Sequence, residues 1–144
     1  MYSLAISHHF MIAHSLRGAL FGPAQQLHGI TCVVEVELRR ARLSADGVVC
    51  DLGLALDLIK SVVADFNYRN LDEMTEFAGQ NTTTEFLAGE LHARLARRVR
   101  AGALGVDAAQ AIDSLRVVLR ESPIVAATYE APVAAGNSNA VRLG

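Results

Sequence analysis

Two long segments in which apolar and polar residues alternate constrain the fold of this chain most. Residues 2–13 place one row on a single face, namely Leu4, Ile6, His8, Phe10 and Ile12. Residues 28–40 repeat the pattern with Ile30, Cys32, Val34, Val36 and Leu38. Because successive side chains of a strand point to opposite faces, the alternation predicts two strands, each with one packed and one solvated face.

Two helices are predicted after these strands. Asp51 is placed to N-cap the first, whose apolar positions would be Leu52, Leu56, Ile59, Val63 and Phe66. Thr82 and Glu85 have the spacing of a capping box for the second, which carries a stripe of Leu87, Leu91, Leu95 and Val99. His92 is expected on an exposed or partly covered side of this helix. The arginines near its end are expected to form a solvated terminus that complements the helix dipole: Arg94, Arg97, Arg98 and Arg100.

Residues 114–121 and 124–131 predict two further strands, interrupted at Pro123. The order strand, strand, helix, helix, strand, strand indicates an α+β fold in which two helices cover one face of an antiparallel sheet. A chain of 144 residues is long enough for one domain with its own core. We expect that domain to span residues 1–131 and residues 132–144 to form a weakly ordered tail.

Composition excludes several classes of function. A net charge of -2 argues against a surface that binds nucleic acid. No segment approaches the run of about 20 apolar residues that a membrane span needs, and the N-terminus lacks the pattern of a signal peptide. Cys32 and Cys50 are too few for a disulfide framework and are expected to be buried small hydrophobes. We therefore expect a soluble, cytoplasmic protein.

Short motifs in a defined order carry a resemblance to a known family. They are Ala13-His14, His28-Gly29, residues 47–52, Arg69-Asn70-Leu71, residues 81–85, Glu121-Ser122 and Tyr129. Together they make the chain, from about Phe10 to Tyr129, similar to the 6-pyruvoyl-tetrahydropterin synthase and 6-carboxytetrahydropterin synthase family. The resemblance implies the tunnelling fold, a ββααββ subunit whose sheet closes into a barrel by homo-oligomerisation as a trimer or hexamer. An open sheet has free edges, which gives closure through neighbours an independent physical reason.

The resemblance also implies a zinc ion held by three histidines, and here the match is incomplete. The first two positions are His14 and His28, but the third is Ile30, which has no donor atom. The site is therefore predicted to be degenerate, and no cofactor is expected. Zinc would require an unforeseen ligand, such as one from a neighbouring subunit.

The family's proton-transfer residues are also replaced. Residues 15–27, where the family has a catalytic cysteine, contain none, and the positions of its activating aspartate and histidine are Asn67 and Tyr68. The substrate anchor is retained, because Glu121 matches the glutamate that accepts hydrogen bonds from the pterin edge. Thr83 and Thr84 match positions that contact the same ring. A carboxylate that accepts two parallel N–H bonds both holds and orients a ligand.

Three interpretations follow. The first is a repurposed, metal-independent lyase- or cyclase-like enzyme that binds a pterin-like, purine-like or other small heterocycle and catalyses a cyclisation, isomerisation or elimination. Glu121, Thr83 and Thr84 would bind the substrate, and Tyr68, His14 and His28 would be catalytic. The second is a non-catalytic ligand-binding or partner subunit, and the third is a zinc-dependent synthase.

The structural alternatives are two ordinary hydrogen-bonded histidines and, for Glu121, a carboxylate in a salt bridge at a strand end. At most one of His8 and His9 can line a given pocket, since neighbouring strand residues face opposite ways. Their role stays open.

Overall fold

A computed structural model describes residues 1–134 of the chain. The long strands are β1 (Tyr2–His14), β2 (His28–Arg40), β4 (Ser114–Ser122) and β5 (Val125–Pro132), and β3 is the two-residue strand Arg69–Asn70. The helices are α1 (Leu52–Ala64), α2 (Thr84–Arg100) and α3 (Val106–Ala111). Short 3-10 turns cover Ala19–Gln25, Leu71–Glu73 and Thr75–Phe77. The predicted tail begins at Pro132, which ends β5, and continues through the buried Val133, but residues 135–144 lie outside the described part.

The strands form one sheet in the order β3-β1-β2-β4-β5. All pairs of long strands are antiparallel, and only β3 runs parallel to β1. The register between β1 and β2 places His14 opposite His28 and Ile12 opposite Ile30. The predicted α+β arrangement of the six long elements is confirmed. β3 and α3 were not predicted, because two residues and six residues are too few to show a periodic pattern.

Both alternating strands bury the predicted face, with Phe10 and Val34 each 1% exposed. The helices cover this face, and the predicted stripe of α2 is buried in full: Leu87, Leu91, Leu95 and Val99. Both cysteines are buried as predicted. Burial and the nearby Glu121 carboxylate raise the pKa of the Cys32 thiol to about 12. The opposite face carries charged residues such as Glu37, which pairs with Arg39.

The predicted facing of α1 is wrong in part. Asp51 does cap the helix, since its carboxylate accepts the Leu54 N–H at 2.9 Å. Leu52 and Leu56, however, are 53% and 49% exposed. The buried row is Ala55, Leu58, Ile59, Val62 and Val63. This row also follows helical spacing, so a helix with leucines on several sides offers two stripes, and packing against β1 and α2 selects one.

The predicted capping box is also wrong. Thr83 is the N-cap of α2, and its hydroxyl accepts the Phe86 N–H at 3.1 Å. Because the helix begins one residue later than predicted, Thr82 lies outside it. Its side chain is buried against His14 instead.

Two residues on α2 are less solvated than predicted. His92 is buried, and its Nε2 donates to the Ala131 carbonyl at 3.1 Å, because β5 covers this side of the helix. Arg94 does not belong to a solvated terminus. It lies 4.6 Å from the centre of the Phe66 ring and pairs with three carboxylates: Asp65, Glu76 and Glu90. These contacts tie the segment that follows α1 to α2.

The sheet is not closed within one chain. Over residues 2–10, the outer edge of β1 has no strand partner among the described residues, and β5 is the last strand at the other edge. Among residues 1–134, no helix is long and apolar enough to cross a membrane.

Candidate functional site

The candidate site lies at one end of the sheet, where four strand ends meet. β1 ends at His14, β2 begins at His28, β4 ends just beyond Glu121, and β5 begins at Val125. Antiparallel pairing brings the end of one strand beside the start of the next, so these residues share an edge. The N-terminus of α2 adds Thr83 and Thr84, and these five predicted residues line one pocket of about 290 Å³. That volume is at the lower end of the range for small-molecule sites.

Each of the two histidines is oriented by a backbone carbonyl at its Nδ1 atom. His14 Nδ1 lies 2.9 Å from the carbonyl oxygen of Thr82, and His28 Nδ1 lies 2.7 Å from that of Gln26. A carbonyl oxygen only accepts, so each Nδ1 carries a hydrogen and donates it to the backbone, which leaves Nε2 as the ring nitrogen without a partner in these bonds. The ring centres are 4.7 Å apart, which places two basic nitrogens on neighbouring strands.

His14 is held in its neutral form. Burial lowers the pKa of its imidazole, and the neighbouring His28 lowers it further. The hydrogen bond to Thr82 and the carboxylates of Asp72 and Glu121 oppose this shift without cancelling it. At neutral pH, His14 is therefore a proton acceptor rather than a cation.

Glu121 is held by one neighbour and open to solvent. The Thr84 hydroxyl donates to Oε2 of Glu121 at 3.2 Å. Thr84 is buried, and Glu121 is exposed. Thr83 is occupied as the helix cap. The carboxylate thus keeps free acceptor positions that face the pocket, and its orientation is set by a hydroxyl on a rigid helix.

The donor atoms present do not fit a three-imidazole zinc site. Ile30 occupies the place next to His28 on the same strand face, and an isoleucine side chain cannot coordinate a metal. Within residues 1–134, no three side chains of histidine, cysteine, aspartate or glutamate are grouped so that they could hold one ion. The residues that remain, His14 and His28, supply two donors.

Tyr68 does not line the pocket of its own chain. It follows α1 in a left-handed conformation with φ 61°, and its side chain is 81% exposed. Its N–H donates to the Met11 carbonyl at 2.7 Å, and the Asn67 side chain accepts the Met11 N–H at 3.0 Å. Both residues therefore extend the hydrogen bonding of β1 at its outer edge, beside the site end of the sheet.

His8 and His9 also lie outside the pocket. The Nδ1 atom of His8 lies 2.8 Å from the carbonyl oxygen of His9, its neighbour in β1. His9 is on the exposed face of the strand.

Sequence reasoning missed two groups at the site. Thr82 accepts a hydrogen bond from His14. The sequence pattern that marks Thr82 is a run of three threonines, which by itself predicts only a helix cap. Asp72 accepts both the N–H and the hydroxyl of Ser15, at 3.1 and 2.6 Å, and so fixes the chain just after His14. Nothing in the local sequence indicates the contact between Ser15 and Asp72, because these residues are 57 positions apart.

The fold and this site define a class of protein. The sequence profile of the 6-pyruvoyl tetrahydropterin synthase family matches residues 3–132. The chain belongs to that family. A comparison with curated protein sequences finds no match.

Several solved structures have a similar fold. The chain resembles 6-pyruvoyl tetrahydropterin synthase from Caenorhabditis elegans with TM-score 0.73 and 21% identity, over 90% of this chain and 95% of that one. The corresponding protein from Plasmodium vivax gives TM-score 0.71 and 16% identity, over 91% and 98%. That from Plasmodium falciparum gives TM-score 0.67 and 17% identity, over 90% and 98%. At these identities the likeness shows the fold alone.

Proposed function

We propose that this family member binds a pterin-like or purine-like heterocycle through Glu121 and acts on it by metal-independent proton transfer. The reaction class would be a cyclisation, isomerisation or elimination. The observation that carries the proposal is the meeting of one anchored carboxylate and two histidines in a single pocket.

Glu121 would act as the anchor. A pterin or guanine edge offers a ring N–H and an exocyclic amino group side by side, and a carboxylate accepts both. Charge-assisted pairs of this kind are about twice as strong as neutral hydrogen bonds and fix the ligand's orientation. Thr84 holds Oε2 from behind, so little reorganisation is needed when the ligand arrives.

The two histidines would move the proton. A free Nε2 on His14 or His28 removes a proton from a carbon or oxygen of the substrate, and the same pair returns it to another atom. In an isomerisation the proton returns to a different carbon or oxygen as the double bond shifts. In an elimination the electrons of the broken C–H bond form the new double bond, the C–O bond breaks, and the departing oxygen takes the proton, so neither reaction needs an oxidant or reductant. A lowered pKa keeps His14 ready to accept, and the second imidazole allows donation at a different position.

Tyr68 would act from a neighbouring copy. Tyr68 lies at the outer edge of β1, whereas Val125, at the start of the opposite edge strand β5, lines the pocket. If β1 of one copy pairs with β5 of the next, with all site ends aligned, Tyr68 comes beside the neighbour's pocket. A head-to-tail contact of this kind closes into a ring, which matches the expected trimer or hexamer.

A non-catalytic ligand-binding role is the second candidate. Asn67 has no titratable proton and residues 15–27 contain no cysteine, so the nucleophile and its activating pair are missing together. Their joint absence favours a protein that holds a heterocycle without converting it.

Binding is tested with pterin and guanine by calorimetry and thermal shift. We expect wild-type protein to bind at least one of them, and we expect Glu121→Gln to weaken that binding about 100-fold because the second acceptor oxygen becomes a donor amide. Glu85→Gln is the matched control, since Glu85 lines the same pocket and would retain binding. Equal affinities for wild type and Glu121→Gln would refute the anchor.

Catalysis is tested separately by proton exchange. 7,8-Dihydroneopterin and its triphosphate are incubated with the protein in D2O, with a chelator present, and followed by NMR. Deuterium incorporation or product formation that falls at least 100-fold in His14→Asn supports the enzyme. Binding without exchange supports the second candidate, and conversion that requires added zinc would show that the metal-independent proposal is wrong.

A further inference from the structure

The segment between β1 and β2 forms a flap at the pocket. None of the residues Ala19–Gln25 is buried, and the segment turns at Gly18 and Gly22, which have φ 130° and 51°. Its N-terminal base is fixed by two hydrogen bonds at Arg17. The Arg17 N–H donates to the Asn81 side chain at 2.8 Å, and the Asn81 amide donates back to the Arg17 carbonyl at 2.9 Å.

The flap supplies an apolar wall to the pocket, whose other apolar lining is the start of β5: Val125, Ala126 and Ala127. The flap contributes Leu16, Phe21 and Ala24, whereas the strands and α2 contribute the histidines, the threonines and Glu121. Phe21 is the one benzene ring among the lining residues of the described chain. It rests beside Gly18, where an added Cβ would meet the ring at 3.6 Å, and it is not part of the core.

We infer that Phe21 is a specificity residue that contacts the flat face of the ligand and selects conjugated, planar rings over puckered ones. This inference rests on the proposed function, because it needs a ring held by Glu121. The Phe21 ring lies at the pocket wall and does not pack in the core of the chain. A planar heterocycle that Glu121 holds by its polar edge would present its flat face to this wall. Stacking on an aromatic side chain is favourable for any flat base and weak for a saturated ring.

The test compares two ligands with the same donor edge. Pterin is planar, and 5,6,7,8-tetrahydropterin carries the same amino and ring N–H groups on a puckered ring. Affinities are measured for the wild-type protein, for Phe21→Leu, which keeps apolar bulk without a ring, and for Leu20→Ala. Leu20 is 89% exposed on the same flap and serves as the matched control.

We expect Phe21→Leu to bind pterin about 10-fold more weakly, a change of about 1.4 kcal/mol, and tetrahydropterin within twofold of wild type. Leu20→Ala should bind both like wild type. The protons of bound pterin should show an upfield ring-current shift in wild type that disappears in Phe21→Leu, a signature that a loosened flap alone would not produce.

Two results would overturn the inference while leaving the proposed function intact. One is an unchanged pterin affinity in Phe21→Leu, and the other is an equal loss for both ligands, which would mean that Phe21 only packs the flap. If wild type binds neither compound, the proposed function fails and the inference fails with it.

Discussion

Replacing Ile30 with histidine is expected to create a zinc site. The register pairs His14 with His28 and Ile12 with Ile30, so position 30 lies on the same face as His28 and diagonal to His14. Cross-strand neighbours at this diagonal are about 7–8 Å apart at Cα, within the reach of imidazoles. The two existing rings are already oriented through their Nδ1 atoms, which donate to carbonyl oxygens, so that Nε2 is the nitrogen left to ligate a metal.

The size of the effect follows from the number of ligands. Four-ligand structural sites bind zinc with about 10–16 kcal/mol, or about 2.5–4 kcal/mol per ligand. A third imidazole is therefore expected to tighten zinc binding by about 10²–10³-fold. Ile30 is only partly buried and packs at the margin of the core, so its replacement should cost at most about 2 kcal/mol of folding stability.

The measurement is a zinc titration against a chromophoric chelator, with cobalt(II) absorption as a reading of coordination geometry. Ile30→Asn is the matched control, since it introduces a polar side chain of similar size that is a poor zinc ligand. If wild-type protein binds zinc as tightly as Ile30→His, or if the histidine adds no affinity, the reasoning from strand register and missing donor is refuted.

Three further predictions concern stability and reactivity. The folded-state pKa of His14 lies below the unfolded value of about 6.5, so the free energy of unfolding should fall as the pH drops from about 6.5 through the folded pKa. Denaturant unfolding between pH 7.5 and 5.5 measures this pH dependence, and His14→Asn should make it weaker. An unchanged pH dependence in His14→Asn would contradict the assignment. Cys32 and Cys50, both buried with raised thiol pKa values, should resist iodoacetamide at pH 8 in native protein and react once it is unfolded, so rapid native labelling would show the burial to be wrong. Asp51→Ala should lower the free energy of unfolding by about 1 kcal/mol through loss of the α1 cap, whereas Asp57→Ala on the exposed side of the same helix should change it little.

The strands and the cap of α1 were predictable because local patterns determine them. Alternation of apolar and polar residues determines which residues of β1 and β2 are buried. An aspartate directly before a helix commonly caps its N-terminus, as Asp51 does. The facing of α1 was not predictable, since Leu52 and Leu56 are as apolar as the buried row. Only contact with β1 and α2 decides between the stripes.

The site was predicted in its parts but not in its connections. His14, His28 and Glu121 were found as candidates, and they do line one pocket. The roles of Thr82 and Asp72 depend on contacts across 68 and 57 positions of sequence, which no local pattern encodes. The position of Tyr68 was missed for a related reason, because its orientation depends on a left-handed turn at a residue that seldom adopts one.

That turn sets up a trade-off at Tyr68. A side chain in the left-handed region costs about 1–2 kcal/mol relative to ordinary backbone, and glycine adopts the same angles without that penalty. Tyr68→Gly should therefore raise the melting temperature of the protein. If the exposed Tyr68 phenol acts in a neighbour's pocket, Tyr68→Gly will have a higher melting temperature and a lower activity than wild type. One side chain would then lower thermal stability and support activity at the same time.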